Sequence, residues 1–162
     1  GMGALVVKKG VPLSPLIAGG EQERGLRGGT SDVAGAVGFA RALALAQSER
    51  EAFIRHTGSL RDAFEQRILS ELGEEVKADG GRRAPNISHL TFARGGTAFL
   101  SVLDLEGALL GRRGVFVAQR AALRSAAAAL RGVRFSFGMG VTQAQAEEAA
   151  ETVVSAYKKF TR

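Results

Sequence analysis

The chain has 162 residues, of which 45% are hydrophobic and 23% charged, a size and composition typical of one globular domain with a real core. It contains no cysteine, which excludes disulfides, thiolate metal sites and cysteine nucleophiles within these residues. No apolar run approaches the roughly 20 residues of a membrane-spanning helix, and no charged-then-apolar signal sequence follows Met2. We therefore expect a cytoplasmic protein with no membrane partner.

The net charge of +6 raises the question of nucleic-acid binding. The basic residues form short, separated doublets such as Lys8-Lys9 and Arg82-Arg83, with acidic residues between them and no aromatic residues interleaved. A single-strand binding surface needs both a basic groove and stacking aromatic side chains. We predict solvated surface charge and no nucleic-acid partner. With two histidines and no short cluster of ligands, we predict no metal site either.

The first thirty residues are predicted to form an N-terminal extension. A β-favouring apolar run at residues 3–7 predicts a strand, and residues 16–18, which follow two prolines, predict a second short extended piece. Residues 19–30 combine many glycines with charged residues and show no apolar period, which indicates a loop.

Helical spacing of apolar residues begins after the loop. Residues 30–32 are good N-cap residues, and the spacing continues from residue 33 to residue 72. Gly58 is predicted to mark a kink or a break between two helices, and Gly73 is predicted to be a C-cap.

The remainder alternates between strand and helix patterns. Strands are predicted at residues 74–77, 87–92, 115–118 and 133–137, and helices at residues 97–105, capped by Thr97, at residues 121–130, and after a capping box of Thr142 and Gln145. This order predicts an α+β domain at residues 31–162, with helices packed on a small, mostly antiparallel sheet.

Two features of the chain point to an anion. The glycines of residues 19–30 allow close backbone approach, the arginines add positive forks, and Thr30 is interpreted as opening a helix whose N-terminus favours phosphate. An ordinary surface loop has the same composition, so that alternative stays open. Arg134 lies within an otherwise apolar strand, where it either faces solvent or binds a carboxylate.

The other chemically capable residues favour structural roles. His89 and His56 are interpreted as an ordinary strand histidine and helix histidine. Asp104 and Glu106 form either a general acid–base pair or solvated charges at a helix end, the more usual explanation. Lys8 and Lys9 show nothing that would lower a lysine pKa and are not Schiff-base candidates.

The order of motifs resembles the cysteine desulfurases of aminotransferase class V. Residues 3–10, GALVVKKG, are similar to that family's GALYVRRG, and residues 19–30, GGEQERGLRGGT, are similar to its GGGQERGLRSGT. Residues 83–88, RAPNIS, are similar to RLPNTLN, and residues 133–138, VRFSFG, are similar to IRFSLG. The resemblance spans nearly the whole chain.

The resemblance implies a pyridoxal-phosphate protein of fold type I, with this sheet and its helices as the C-terminal domain. It implies a homodimer with active sites at the subunit boundary. By matching position, Thr30 would contact the cofactor phosphate of the partner subunit, and Arg134 would bind the α-carboxylate of the substrate.

Departures from the family pattern shape the expected function. The family's cofactor-bearing lysine precedes the strand that begins here at Gly3, and its sulfur-accepting cysteine would fall between residues 107 and 133, where no cysteine occurs. Glu21 and Asp32 replace a glycine and an asparagine. We assign no catalytic residue and expect a C-terminal half that is inactive alone and does not bind the cofactor alone.

Two alternatives remain open. One is a non-catalytic dimerisation module descended from a desulfurase, and the other is half of a split enzyme completed by an N-terminal partner chain. In either case we expect self-association or a partner chain, because Leu5, Leu16 and Ile17 would otherwise stay exposed.

Overall fold

The computed structural model describes residues 1–106, 115–119 and 131–162. The helix predicted at residues 121–130 and most of the segment compared with the family's cysteine loop lie outside the described residues. The chain divides into two compact units, Gly1–Arg50 and Glu51–Arg162. This division falls further along the chain than the boundary predicted after Thr30, because the first long helix groups with the segment before it.

The first unit holds a loop-rich segment and one long helix, α1 (Val33–Ser48). Asp32 caps α1, its carboxylate accepting a hydrogen bond from the Gly35 amide at 2.8 Å. The strand predicted at residues 3–7 and the extended piece at 16–18 are wrong, since neither forms a strand. A strand needs a neighbour for its backbone groups, and the described sheet contains none of these residues.

The second helix, α2 (Arg50–Leu72), begins almost at once after α1. The break predicted at Gly58 is wrong: the helices separate at Glu49, and α2 runs through Gly58 without interruption. Its neighbours Thr57 and Leu60 are buried, and packing of that face outweighs the roughly 1 kcal/mol that glycine costs in a helix. Gly73 follows with a φ of +52°, which confirms the predicted left-handed C-cap.

A four-stranded antiparallel sheet forms the centre of the second unit. Its strands are β1 (Val76–Ala78), β2 (Ile87–Phe92), β3 (Val115–Gln119) and β4 (Gly132–Phe137), in the order β1-β2-β4-β3. Strand β1 starts later than predicted because a 3-10 turn occupies residues 73–75. The prediction of an α+β fold with a small antiparallel sheet is confirmed.

Two further helices complete the described part of this unit, α3 (Thr97–Leu105) and α4 (Gln143–Phe160). The N-cap of α3 is Gly96, with a φ of +92°, and not Thr97 as predicted. The predicted capping box of α4 is confirmed: the Thr142 hydroxyl accepts from the Gln145 amide at 3.2 Å, and the Gln145 side chain accepts from the Thr142 amide at 2.9 Å.

The core lies between the sheet and the helices. Alternate residues of β2 and β4 face inward, and the ring of Phe64 on α2 lies 4.8 Å from that of Phe135 and 5.3 Å from that of Phe137. The largest fully buried side chains are Tyr157, Phe64, Phe92, Phe99, Phe135, Phe137, Leu60, Ile68, Leu90, Leu103 and Val133. The opposite face of β2 and β4 therefore holds the alternate residues, among them His89, Thr91, Arg134 and Ser136.

None of the helices in the described part of the chain combines the length and apolar character needed to cross a membrane. Among residues 1–106, 115–119 and 131–162, no group of three or more histidine, aspartate or glutamate side chains lies close enough together to hold a metal ion.

Candidate functional site

Arg134 lies on the outer face of the sheet, in the middle of β4. The flanking Val133 and Phe135 are buried in the core, so the alternation of the strand turns Arg134 outward. Its Cα partners are His89 on β2 and Ala118 on β3. Its side chain is exposed, and it makes no hydrogen bond or ion pair with any described residue. A planar guanidinium in this situation suits a carboxylate, which it can bind through two parallel hydrogen bonds.

A polar cluster lies beside Arg134 on the same face. The Asp79 carboxylate contacts Nδ1 of His89, and Oγ1 of Thr91 donates to it at 3.2 Å. The Asp79 amide also donates to the carbonyl of His89 at 2.9 Å, which extends the pairing of β1 with β2. His89 is thus fixed through its backbone and one ring nitrogen, so the interpretation of it as an ordinary strand histidine was incomplete.

Sequence reasoning missed this Asp79 cluster for a physical reason. Asp79 directly follows β1, outside any alternating pattern, and meets His89 and Thr91 only once the register of β1 against β2 is known. The one available signal was that His89 and Thr91 occupy alternate positions on the outward face of β2.

The glycine-rich loop of the first unit closes on itself. Gly28 is buried, and its amide donates to the carbonyl of Ile17 at 3.0 Å. A Cβ added to Gly28 would clash with the carbonyl oxygen of Gly19, so this position requires glycine. Glu23 and Arg24 adopt left-handed backbone conformations with φ of 50° and 61°. A left-handed conformation costs about 1–2 kcal/mol per non-glycine residue, so the loop is held in a strained shape.

Thr30 is exposed, and its hydroxyl has no partner in the part of the chain that the structure describes. The interpretation that Thr30 opens the helix is wrong, because Asp32 caps α1. The negative charge of Asp32 already satisfies the preference of that helix end for an anion. Thr30 therefore offers a single hydroxyl donor beside a carboxylate.

The remaining candidates take structural roles in the second unit. Glu106 pairs with Lys159 at 2.8 Å while Asp104 is exposed, so the pair does not form an acid–base site. Nε2 of His56 donates to the carbonyl of Val141 at 2.9 Å, in keeping with its interpretation as a structural histidine.

A groove of about 350 Å³ between α2 and α4 carries charges of both signs. The hydrogen bond from Lys158, with the nearby positive charge of Arg67, lowers the pKa of the Glu71 carboxyl. The lining residues include the basic side chains Arg67, Lys158, Lys159 and Arg162 and the acidic side chains Glu71 and Glu151. The paired members among them leave no dedicated anion site.

Comparison with known proteins places this chain in a family. The sequence profile of the family described as Aminotransferase class-V matches residues 1–148. A cysteine desulfurase of Trichormus azollae is 42% identical over 93 residues, which is 57% of this chain and 23% of that protein. The putative cysteine desulfurase IscS 1 of Bacillus subtilis (strain 168) is 31% identical over 99% of this chain and 45% of its own length.

The fold agrees with those sequence comparisons. A solved structure described as a NifS-like protein superposes with a TM-score of 0.78 and 28% identity, covering 94% of this chain and 41% of that one. This likeness agrees with the α+β arrangement expected for the C-terminal domain of a fold-type-I protein. The chain spans less than half the length of these relatives. The chain belongs to the class-V aminotransferase family, and cysteine desulfurases are among its relatives.

Proposed function

We propose that these residues form the substrate-carboxylate-binding half of a pyridoxal-phosphate protein related to cysteine desulfurases, and that they do not turn over substrate alone. The observation that carries the proposal is Arg134, an exposed guanidinium in mid-strand with no partner among the described residues. In this role it binds and orients the α-carboxylate of an amino acid through a bidentate contact.

The residues present fit the cofactor only in part. The hydroxyl of Thr30 is exposed and able to donate to a phosphate oxygen of the partner subunit's cofactor. No lysine of the chain fits the role of the cofactor-bearing lysine. Lys8, Lys9 and Lys77 are exposed, while Lys158 and Lys159 are paired with Glu71 and Glu106. Pyridoxal phosphate, when bound, supplies an electron sink for cleavage of a bond at the α-carbon of an amino acid.

Sulfur transfer by a cysteine of these residues is ruled out by composition, since the 162 residues contain none. In this proposal, these residues bind and orient the substrate. The lysine and any sulfur acceptor come from residues outside them. A partner chain of different sequence supplies the missing groups, because a second copy of these 162 residues brings no cysteine.

The first unit supports the need for such a partner. Leu5, Leu16 and Val33 have exposed fractions of 77%, 97% and 69%, and no residue of α1 is buried. Exposed apolar surface of this kind is typical of an interface. We expect the mass of the particle in solution to rise with protein concentration, as measured by light scattering, and a constant monomer mass would contradict this part of the proposal.

The test uses L-alanine as the carboxylate ligand and follows its binding to the purified chain by NMR titration. Arg134→Ala should weaken binding at least about tenfold, because a charge-assisted hydrogen-bonded pair is lost. Arg82→Ala removes an exposed loop arginine of the same unit and should leave binding unchanged. Equal affinities of Arg134→Ala and the wild type would reject the proposed site.

A second assay tests inactivity alone. The purified chain, incubated with pyridoxal phosphate and L-cysteine, should release no sulfide above the rate given by pyridoxal phosphate without protein. Sulfide release that depends on the protein would contradict that part of the proposal.

A further inference from the structure

The outer face of the sheet holds a histidine nitrogen that lacks a partner. Nδ1 of His89 contacts the Asp79 carboxylate, and Thr91 donates to that carboxylate. Nε2 of His89 is enclosed, yet none of the described residues forms a hydrogen bond with it. The side chain as a whole is 21% exposed, but Nε2 itself is covered, so a partner reaches this nitrogen only when a neighbouring side chain moves.

The contact with Asp79 determines what Nε2 can do. A carboxylate only accepts hydrogen bonds, so Nδ1 carries the proton, and in the neutral ring Nε2 is then an acceptor. An enclosed acceptor is costly to leave unpaired. A donor that reaches the same face of the sheet, either a side chain or a water molecule, would satisfy this nitrogen.

Arg134 is the donor that the register places closest. It lies directly opposite His89 across the β2–β4 pair, where Cβ atoms on one face are about 5 Å apart. The exposed Lys77 lies opposite Thr91, one pair further along. A guanidinium has five N–H donors in a fixed fork, so it can give one to Nε2 and keep a bidentate pair for a carboxylate, which an ammonium cannot do.

We propose that His89 is a positioning residue for Arg134. The two side chains are not hydrogen-bonded in the structure, and the contact forms by rotation of the exposed Arg134 side chain toward β2. Asp79 fixes the ring of His89, Nε2 then accepts one N–H of the guanidinium, and the fork of Arg134 is held over the open face. The inference rests on the proposed carboxylate role of Arg134 and adds to it the groups that orient the arginine. Preorganisation of this kind strengthens binding because less side-chain freedom is lost on contact.

The direct test is nitrogen NMR of the histidine rings in the intact 162-residue chain at mildly alkaline pH. His56 is the other histidine, so His56→Gln assigns the signals. We expect Nε2 of His89 without a proton and its resonance to move in Arg134→Ala. Arg131→Ala is the matched control, because that guanidinium donates to the carbonyl of Ala93 at 2.9 Å, and it should leave the resonance in place.

A proton on Nε2 in the wild type, or a resonance that does not respond to Arg134→Ala, would overturn the inference. This readout needs no carboxylate. If Arg134→Ala leaves L-alanine binding unchanged, the proposed function of Arg134 fails while the NMR result still decides whether His89 contacts it.

A pair of variants separates positioning from a merely structural role. His89→Gln places an amide oxygen near the position of Nε2, whereas His89→Asn places its amide near Nδ1 and keeps only the Asp79 side of the contact. We expect His89→Gln to bind L-alanine within about twofold of the wild type and His89→Asn to bind about tenfold more weakly. Equal affinities of the two variants would contradict the assignment.

Discussion

The two units of the chain have similar apolar patterns but differ in how far their apolar residues are buried. In Glu51–Arg162, the apolar residues of α2, α4 and the sheet are buried against one another. In Gly1–Arg50, α1 has no buried residue, and Gly28 alone is buried among the described residues of that unit. Apolar spacing therefore predicts that a helix forms, but the partner that covers it decides whether the helix contributes to stability.

This contrast assigns different roles to the units. The second unit contains its own core and holds Arg134 on a sheet fixed by that core, so we expect it to carry the measured stability of the chain. The first unit presents the glycine-rich loop and exposed apolar side chains, so we expect it to gain its stability from a partner.

The largest expected effect compares one phenylalanine from each unit. Phe64 is 1% exposed and contacts two other rings, so Phe64→Ala should lower the free energy of unfolding by about 3–5 kcal/mol. Phe39 on α1 is 39% exposed, and Phe39→Ala should change the free energy of unfolding by less than about 0.5 kcal/mol. Urea unfolding of the two variants measures both values, and similar losses would remove the contrast between the units.

A smaller effect is expected at the ion pair between Glu65 and Arg83. Both guanidinium nitrogens donate to the carboxylate at 2.7 Å, and the side chains are 9% and 27% exposed. Arg83→Met should destabilise the unit by about 2–3 kcal/mol, below the range for a fully buried pair because Arg83 is partly solvated. The double variant Glu65→Leu, Arg83→Met should recover part of that loss. A double variant less stable than Arg83→Met would show that the pair itself is not the cause.

The N-terminal caps of α4 and α1 offer a comparison in which the larger expected loss of unfolding free energy is about 1 kcal/mol. Thr142→Ala removes the capping box of a helix packed in the core and should cost about 1 kcal/mol in urea unfolding. Asp32→Ala removes an equivalent cap from α1 and should lower helix content in circular dichroism without changing the unfolding midpoint. A shift of that midpoint in Asp32→Ala would mean that α1 unfolds together with the core.

The pH dependence of stability gives the smallest effect, confined to alkaline solution. Burial raises the pKa of the Tyr157 hydroxyl above its usual value of 10.0, and the contact with Glu75 adds to the rise. Since the folded state holds this proton more tightly, its contribution is complete below about pH 10 and is lost as the pH rises through the folded pKa. Tyr157 is the one tyrosine in the chain, so the tyrosinate absorbance band reports its titration directly.

Tyr157→Phe should abolish the tyrosine-dependent part of the alkaline loss of stability. A titration at the ordinary tyrosine pKa in the folded protein would show that the hydroxyl is not buried as the structure places it.

Much of the second unit could be predicted because its signals are local. The alternation of inward-facing and outward-facing residues predicted β2 and β4, and the capping box predicted the start of α4. The break at Glu49 could not be predicted because no glycine or proline marks it, and the contact between Asp79 and His89 could not be predicted because it depends on strand register. The proposed anion-binding role of Arg134 needed the resemblance, because strand position alone left the solvent-facing alternative open.

Amide hydrogen exchange on the dilute 162-residue chain tests the contrast between the units most directly. We predict strong protection at Leu90 and Phe135 of the sheet core and little protection across α1, with protection of α1 rising as the protein concentration increases. Protection of α1 equal to that of the sheet at the lowest concentration would contradict the proposal that the first unit gains its stability from a partner.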